Sequence, residues 1–290
     1  MAAGKRKIKL QGHEKFALRE GWLTKGMNLV EQTDQRNVFL AQNATDEFGI
    51  GKNMVRSLRY WMRAFNLIID RPNCRVELSE LGTLIYEHDL YIEDVFTLWV
   101  LHSQIVKNIE EATSWFMFFN YCTAEELSKE QILSIIEREI KVYVEGGSFS
   151  SNSVANDVDV ILHMYSKNRE KNDPEEKTFS PFSNLGLLKK NGNTYTRLTP
   201  DNRSVNEWNV LFELSCAMNG ELSISIEQLY KSINGIENIY QISNVRTNEL
   251  LDKLDDMGLI RVNRTAGLDM IYVEQPLEPL EILRRYYEQR

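Results

Sequence analysis

The sequence of 290 residues predicts a mainly α fold. Most of its segments carry apolar residues at mixed three- and four-residue steps, which is the period of an amphipathic helix. Near each end of the chain, three such segments are followed by two short β-prone runs around a turn. That order of elements is typical of a winged helix-turn-helix. We therefore predict two winged helix-turn-helix units flanking a helical middle region, with domains over residues 1–90, 91–200 and 201–290.

The first unit is predicted from its segments in chain order. Two helices are expected in GWLTKGMNLVEQT and QRNVFLAQN, and the two glycines of ATDEFGIG turn the chain into a third helix over residues 52–65. LIIDRPNCRVEL follows as two strands, with Pro72 and Asn73 in the turn between them. Ser79 is the expected N-cap of the next helix.

The middle region and the last unit are read in the same way. The predicted middle helices are IEDVFTLWVLHSQIVKN, ATSWFMFF, SKEQILSIIEREIKVYV and VANDVDVILHMYSKN. Ser128 and Gln131 have the spacing of a capping box, and NREKNDPEEK (168–177) reads as an exposed loop. The last unit is predicted to contain three helices, in NEWNVLFELSCAMN, SIEQLYKSI and SNVRTNELLDKLDDMGL, then the hairpin LIRVNRTAGLDMIYVE and the closing helix LEPLEILRRYYEQR.

Composition and motifs argue against several classes of protein. No run of about 18 apolar residues occurs, and the basic N-terminus lacks the apolar core of a secretory signal, so we expect a cytoplasmic protein without a membrane span. The three cysteines and four histidines are scattered, without the spacing of a zinc site. The catalytic motifs GxSxG and HExxH are absent. We predict that the protein is not an enzyme and uses no cofactor or metal.

Charge is divided unevenly along the chain. The net charge is −8, yet residues 1–75 hold 14 Lys and Arg against 7 Asp and Glu, and the remaining residues sum to −15. A basic patch at one end can bind a polyanion locally although the whole chain is acidic. Residues 204–275 show the opposite bias, with 5 basic and 11 acidic residues. We therefore expect the last unit to contact protein, as a partner surface or a homodimer interface, or to be a structural cap.

The third helix of the first unit carries the strongest functional signal. Successive helical residues are rotated by about 100°, so four cations spaced by about one turn form a single stripe: Lys52, Arg56, Arg59 and Arg63. Six apolar residues gather on another face: Met54, Val55, Leu58, Trp61, Met62 and Phe65. Because burying unpaired cations is costly, we expect the apolar face to pack inward and this basic stripe to face solvent or a partner.

Such a helix suits the major groove of duplex DNA, because Arg pairs with guanine, Asn pairs with adenine, and Lys or Arg neutralises phosphate. The predicted DNA-binding residues lie on this helix and on the hairpin after it: Lys52, Asn53, Arg56, Arg59, Arg63, Arg71 and Arg75. The N-terminal segment KRKIK is expected to add phosphate contacts. The alternative is a stripe whose cations pair with Asp or Glu of the same chain or of a partner.

Four other polar residues suggest structural roles more than catalytic ones. His102 lies in the apolar helix segment LWVLHSQ and is expected to be a core histidine with satisfied hydrogen bonds. Asp157 and Asp159 are two residues apart on a predicted helix, so they point to different sides and cannot easily share a metal. His13 lies in GHEKFALREGWLTKG, and two roles are possible for this segment: packing of the first helix against the core, or binding of an anion.

Several stretches resemble a bacterial family of proteins of unknown function. They are GHEKFALREGWLTKG, GIGKNMVRSLRYW, ELGTLIYEHDLYIEDVFTLWVLH, NSVANDVDVILHMYSKN and EEKTFSPFSNLGLL, so the resemblance spans nearly the whole chain. The family is associated with genes for PAPS-reductase-like enzymes in clusters for DNA phosphorothioate modification and phage defence. The resemblance implies this neighbourhood and carries over no catalytic residues.

From these observations we predict a DNA-binding accessory protein of a bacterial DNA-modification or phage-defence system. Duplex DNA and other proteins of the complex are its expected partners. Two alternatives stay open. In one, the basic stripe meets an acidic protein surface and the chain is an adaptor. In the other, the chain is a transcriptional regulator that binds a symmetric site upstream of its own operon.

Overall fold

The fold combines helices with three small antiparallel sheets. The computed structural model describes residues 6–33, 36–166, 179–265 and 267–290. Its helices are α1 (Trp22–Gln32), α2 (Ala44–Phe48), α3 (Lys52–Ala64), α4 (Glu80–His88), α5 (Val95–Lys107), α6 (Thr113–Tyr121), α7 (Lys129–Tyr143), α8 (Ser151–Ser166), α9 (Glu207–Met218), α10 (Ile226–Lys231), α11 (Ile236–Tyr240), α12 (Asn244–Asp256) and α13 (Pro279–Glu288). Its strands are β1 (Ile68–Arg71), β2 (Arg75–Leu78), β3 (Glu126–Ser128), β4 (Leu188–Asn191), β5 (Thr194–Arg197), β6 (Ser223–Ser225), β7 (Arg261–Thr265) and β8 (Leu268–Tyr272).

The three sheets lie in three successive parts of the chain. β1 and β2 form a hairpin, the second sheet has the order β3-β5-β4, and the third has the order β6-β8-β7. All strand pairs are antiparallel. The fold is therefore mixed α/β and not mainly α as predicted. The largest difference is in the middle region, which was expected to be helical and contains β3, β4 and β5.

The middle sheet depends on contacts between distant parts of the chain. The three residues of β3 are too few to show a strand period, and their partner β5 follows only after α7 and α8, with Leu127 opposite Tyr195. β4 and β5 are joined by a tight turn in which Gly192 has a φ of +58°. The Gly-Asn pair in LKKNGNTYTR, Gly192 and Asn193, forms this turn and is a hairpin signal that would have predicted the two strands.

The order of helices and hairpin expected for the first unit is present with one change. QRNVFLAQN forms only a short 3-10 helix at Val38–Leu40, and α2 lies in a segment that was predicted to be a loop. The cause is tertiary pairing. The main-chain N–H of Asn37 donates to the carbonyl of Cys74 at 3.1 Å, and Arg36 forms an antiparallel bridge with Arg75. The backbone of Arg36 and Asn37 bonds to the hairpin, so an α-helix does not extend through these two residues.

Local signals for helix ends were confirmed. Ser79 caps α4 by accepting a hydrogen bond from the main-chain N–H of Gly82 at 2.9 Å. Ser128 and Gln131 form the capping box of α7.

Among the residues that the structure describes, no helix is both long enough and apolar enough to cross a bilayer. The loop predicted over residues 168–177 lies outside the described ranges.

A buried polar cluster fastens the first unit to the middle region. Asp157 of α8 accepts hydrogen bonds from Nε2 of His13 at 2.7 Å and from Oγ of Ser114 at 2.6 Å. It also accepts one from the main-chain N–H of Gln11 at 2.8 Å. His13 is fully buried, and its ring stacks on Trp61 of α3 with 5.9 Å between centroids. The position of α3 is therefore set by contacts to α6 and α8 as well as by its own unit.

Candidate nucleic-acid interface

α3 separates its apolar and basic side chains as its sequence predicts. α2 ends at Gly49, which has a φ of +60°, and α3 begins at Lys52 after Gly51 in extended backbone. Five residues of the predicted apolar face are buried: Val55, Leu58, Trp61, Met62 and Phe65. The basic stripe lies on the remaining face of the helix, where a partner can reach it.

The first half of the basic stripe is exposed and unpaired. Lys52, Asn53 and Arg56 are exposed, and their side chains bond to no residue in the described ranges. The first turn of α3 contains no acidic residue, and no side chain caps its N-terminus. The unsatisfied N–H groups and the partial positive charge of a helix N-terminus add to the field of the two cations. This half of the stripe suits an anionic ligand.

The second half of the stripe is paired with carboxylates of the same chain. Nη2 of Arg59 lies 2.7 Å from Oδ1 of Asp70 in β1. Nη2 of Arg63 lies 2.7 Å from Oε1 of Glu111, and its Nη1 lies 3.5 Å from Oδ2 of Asp70. The side chains of Arg59 and Arg63 are 25% and 35% exposed. Ion pairs that solvent can reach contribute about 1 kcal/mol or less, so a phosphate group can compete with these carboxylates.

The hairpin β1–β2, which follows α3, carries two arginines and pairs with a third. Nη2 of Arg71 lies 2.6 Å from Oε1 of Glu77, and the hydrogen bond to this carboxylate raises the pKa of Arg71. Arg75 is exposed, and its backbone pairs with that of Arg36, which is also exposed. Arg36 was not among the predicted DNA-binding residues. No local pattern marks it, because its place beside the hairpin results from a bridge between distant residues.

The N-terminal arm (residues 6–16) is held by acidic residues of the same chain. Nη2 of Arg6 lies 2.9 Å from Oε1 of Glu145. Nζ of Lys7 lies 3.5 Å from Oε1 of Glu111. Glu111 thus bonds to the arm and to Arg63 of the stripe. Phosphate contacts by this arm stay a prediction, and they would require its cations to leave these glutamates.

His102 has the core position that its sequence context predicts. It is fully buried, with Nε2 donating to the carbonyl of Ile239 at 2.9 Å and Nδ1 accepting from the hydroxyl of Tyr165 at 2.8 Å. Burial lowers the pKa of His102 to about 3. The prediction of a core histidine with satisfied hydrogen bonds is confirmed.

Asp157 and Asp159 lie on different sides of α8, as predicted. Asp157 is buried in the polar cluster, whereas Asp159 is exposed and lies 2.5 Å from Nζ of Lys129. Ser114 and His13 both bond to Asp157, so the serine has no histidine base beside it as a nucleophile would require. His13 has a packing role, since it is closed to solvent. In the described part of the chain, no group of three or more His, Cys, Asp or Glu side chains has the geometry of a metal site.

Together these elements define a mixed α/β protein with a basic helix, α3, in its first unit and an acidic helix, α12, in its last. The family described as protein of unknown function (DUF4007) matches residues 10–287, and the chain belongs to this family. Membership of a family of proteins of unknown function, which the sequence resemblance implied, is thus confirmed. No curated protein matches the chain.

Solved structures share the fold. A crystal structure of magnesium ion-bound SspB is 23% identical in sequence, with a TM-score of 0.84 over 97% of this chain and 88% of that chain. A second crystal structure of SspB is 24% identical, with the same TM-score and coverage. The fold described above is therefore that of SspB, to which this chain is similar along almost its whole length.

Proposed function

We propose that this chain is a DNA-binding accessory protein of a DNA-modification or phage-defence system, and that duplex DNA contacts the first turns of α3. The observation that supports this most strongly is the unpaired half of the basic stripe. Lys52 and Arg56 offer phosphate contacts that release counterions, and Asn53 offers the amide that pairs with adenine. All three side chains are exposed beside a buried apolar face.

The order of elements in the first unit also supports the proposal. α1, α2 and α3 followed by β1 and β2 have the order of a winged helix-turn-helix, in which the third helix enters the major groove. In this arrangement Arg71, Arg75 and Arg36 face the neighbouring backbone. Arg59 and Arg63 join the interface when phosphate groups displace their carboxylate partners. The last unit has a similar order of elements with one additional short helix, α11, and its acidic α12 would repel phosphate, so we do not propose this helix as a DNA contact.

The place of the protein in a modification or defence system rests on two supports. One is the sequence resemblance to a family found beside genes for DNA phosphorothioation. The other is the fold that the chain shares with SspB. We propose that the partners are other proteins of such a system and that the protein works in the cytoplasm, without a membrane.

The test is a double variant, Lys52→Gln with Arg56→Gln, in the full-length protein. Fluorescence anisotropy with a labelled duplex at several salt concentrations measures the affinity and its salt dependence. We expect the affinity to fall about 10- to 100-fold at low salt, and the slope against salt to decrease by about 0.9 for each phosphate that the variant no longer neutralises. Lys141→Gln is the matched control, because Lys141 is an exposed cation of α7. Unchanged affinity and slope in the double variant would remove α3 from the interface.

A second candidate function, a protein adaptor, is favoured by the last unit. Its α12 is acidic, and five large apolar side chains of this unit are exposed: Leu222, Ile233, Val245, Met257 and Tyr272. Size-exclusion chromatography with light scattering measures the mass of the full-length protein with and without DNA. A dimer that Val245→Ser converts to a monomer supports a homodimer interface here. If the wild-type protein is a monomer and binds DNA normally, the exposed apolar side chains do not form a homodimer interface, and a different protein is their expected partner.

We propose a binding role and not a catalytic one. The side chains of His13, Ser114 and His102, which have the chemistry of a base or a nucleophile, are buried and hydrogen-bonded. Because one of the similar crystal structures holds magnesium, the test is incubation with supercoiled plasmid in the presence of MgCl2. Nicked or linear plasmid above the level of a protein-free control would overturn this part of the proposal.

A further inference from the structure

A polar cleft lies where the middle sheet meets the last unit. It has a volume of about 650 Å³ and is bordered by the end of β5, the segment after α6, and α10, α11 and the start of α12. Its polar lining includes Arg197, Lys231, Thr123, Asn238, Gln241 and Ser243. No residue of α3 or of the hairpin β1–β2 lines this cleft.

Arg197 is the main cation of the cleft. Its Nη1 donates to the carbonyl of Cys122 at 2.8 Å, and no ion pair to a carboxylate is formed by it within the described ranges. Burial lowers the pKa of the Arg197 guanidinium. A guanidinium that is partly removed from water with one carbonyl as its partner retains most of its N–H donors for a ligand. An anion in the cleft would offset the cost of removing this charge from water.

The surroundings of Arg197 also favour an anion. Lys231 is exposed and lies 3.5 Å from Glu227, a long contact on the surface of α10. Ser243 caps α12, whose first turn contains no acidic residue, so the positive end of this helix adds to the field of the two cations. Glu237 is the acidic residue that opposes them, and it is exposed in the lining of the cleft.

We propose that this cleft binds a phosphate group, with Arg197 as its bidentate donor and Lys231 as the second cation. The planar fork of a guanidinium matches two oxygens of a phosphate. The hydroxyl of Thr123, which lines the cleft, supplies a further donor. A cleft of this size takes a nucleoside monophosphate, so the phosphate comes either from a free nucleotide or from DNA. This site is separate from the DNA contact proposed for α3.

The experiment is isothermal titration calorimetry of the full-length protein with inorganic phosphate, dAMP and deoxyadenosine. We expect saturable binding of phosphate and dAMP, and none of deoxyadenosine. Arg197→Lys keeps the charge and removes the fork, so the affinity for dAMP should fall about tenfold. Lys231→Gln should weaken binding several-fold, and Glu237→Gln should strengthen it. Both are changes of exposed side chains that preserve the fold.

Lys189→Gln is the matched control, because Lys189 is an exposed cation of β4 that does not line the cleft. Competition by duplex DNA, measured in the Lys52→Gln and Arg56→Gln background, identifies DNA as the source of the phosphate. Binding of dAMP without such competition identifies a free nucleotide. Failure of α3 to bind DNA leaves these measurements unaffected. The proposal is overturned if millimolar phosphate and dAMP give no heat, or if Lys189→Gln weakens binding as much as Lys231→Gln.

Discussion

The helices that precede the hairpins of the first and last units, α3 and α12, have the same length and opposite charge. Each contains 13 residues. α3 carries the basic stripe and no acidic residue, whereas α12 carries four acidic residues and two basic ones: Glu249, Asp252, Asp255 and Asp256, with Arg246 and Lys253. Both helices follow shorter helices and precede a β hairpin. The two units therefore offer similar element orders with surfaces of opposite sign.

Each of these helices receives counter-charge from the first strand of the hairpin that follows it. Arg59 of α3 lies 2.7 Å from Asp70 of β1, eleven residues later in the chain. Asp252 of α12 lies 2.7 Å from Arg264 of β7, twelve residues later. The same pairing of helix and strand thus occurs with the cation on the helix in the first unit and with the cation on the strand in the last unit. The comparison teaches that the order of elements alone does not identify a DNA contact, since the sign of the helix charge decides which ligand is repelled.

The largest expected effect comes from reversing the charge of α3. Lys52→Glu with Arg56→Glu replaces two phosphate contacts with repulsion, and the affinity for duplex DNA at low salt should fall by more than about 100-fold. Anisotropy with a labelled duplex measures it. The comparison change in α12, Glu249→Gln with Asp256→Asn, should leave the affinity within about twofold. Effects of equal size and opposite sign in the two helices would mean that total charge, and not contact with α3, controls binding.

A second test compares how the two outer units are attached to the middle region. His13 joins the first unit to Asp157, and His102 joins the middle region to Ile239 of the last. The folded pKa of His102 is about 3, against about 6.5 for an unfolded histidine. Below pH 6.5 the unfolded chain binds a proton that the folded chain does not bind. Stability should therefore fall as pH decreases, by about 2 kcal/mol between pH 6.5 and 5.

Urea unfolding at several pH values measures this dependence. His102→Gln lowers the stability at neutral pH but removes the titrating group, so its free energy of unfolding should depend less on pH over the same range. An identical pH dependence in the variant and the wild-type protein would assign the effect to other groups.

A third test removes the counter-charge from each helix. Asp70→Asn frees Arg59 and one contact of Arg63, so the affinity for DNA should rise about three- to fivefold. Asp252→Asn makes the matching change in the last unit and should leave the affinity unchanged. The same anisotropy measurement serves both variants. Weaker binding by Asp70→Asn would show that Asp70 orients Arg59 for DNA and does not compete with it.

The smallest expected effect is a local fluorescence change at the first hairpin. Cys74 is exposed in its turn, whereas burial raises the pKa of Cys122 to about 12 and also raises the pKa of Cys216. At neutral pH a maleimide dye should label Cys74 alone, as mass spectrometry of wild-type and Cys74→Ser protein would show. The dye should respond to duplex DNA and not to dAMP. A response to dAMP alone would place the nucleotide near the first unit.

The helices with a strong apolar period could be predicted from sequence, because their stability depends on residues three and four positions apart. α3 and its buried face are the clearest case. The sequence could not predict which cations of the basic stripe pair with carboxylates of the same chain, since Arg63 and its partner Glu111 are 48 residues apart. The division of the site into an unpaired half and a paired half follows from that distant contact.

Except for the hairpin β4–β5, whose turn signal was missed, the remaining errors also come from contacts between distant residues. QRNVFLAQN has the composition of a helix, but its backbone bonds to the hairpin at Cys74. The middle sheet contains strands of three and four residues, which are too short to show a period of their own. Arg197 gave no signal in the sequence, because the cleft that it lines exists only when β5 packs beside α10 and α11.

The hydrogen bonds between the N-terminal arm and Asp157 have a consequence for biosynthesis. Residues 11 and 157 are 146 positions apart, and the donors on the arm are made long before their acceptor. Until α8 has been synthesised, His13 and Gln11 have no buried carboxylate to bond to. The first unit reaches its final packing only after α8 has been synthesised, so a nascent chain that ends near residue 90 would present α3 on an incomplete support.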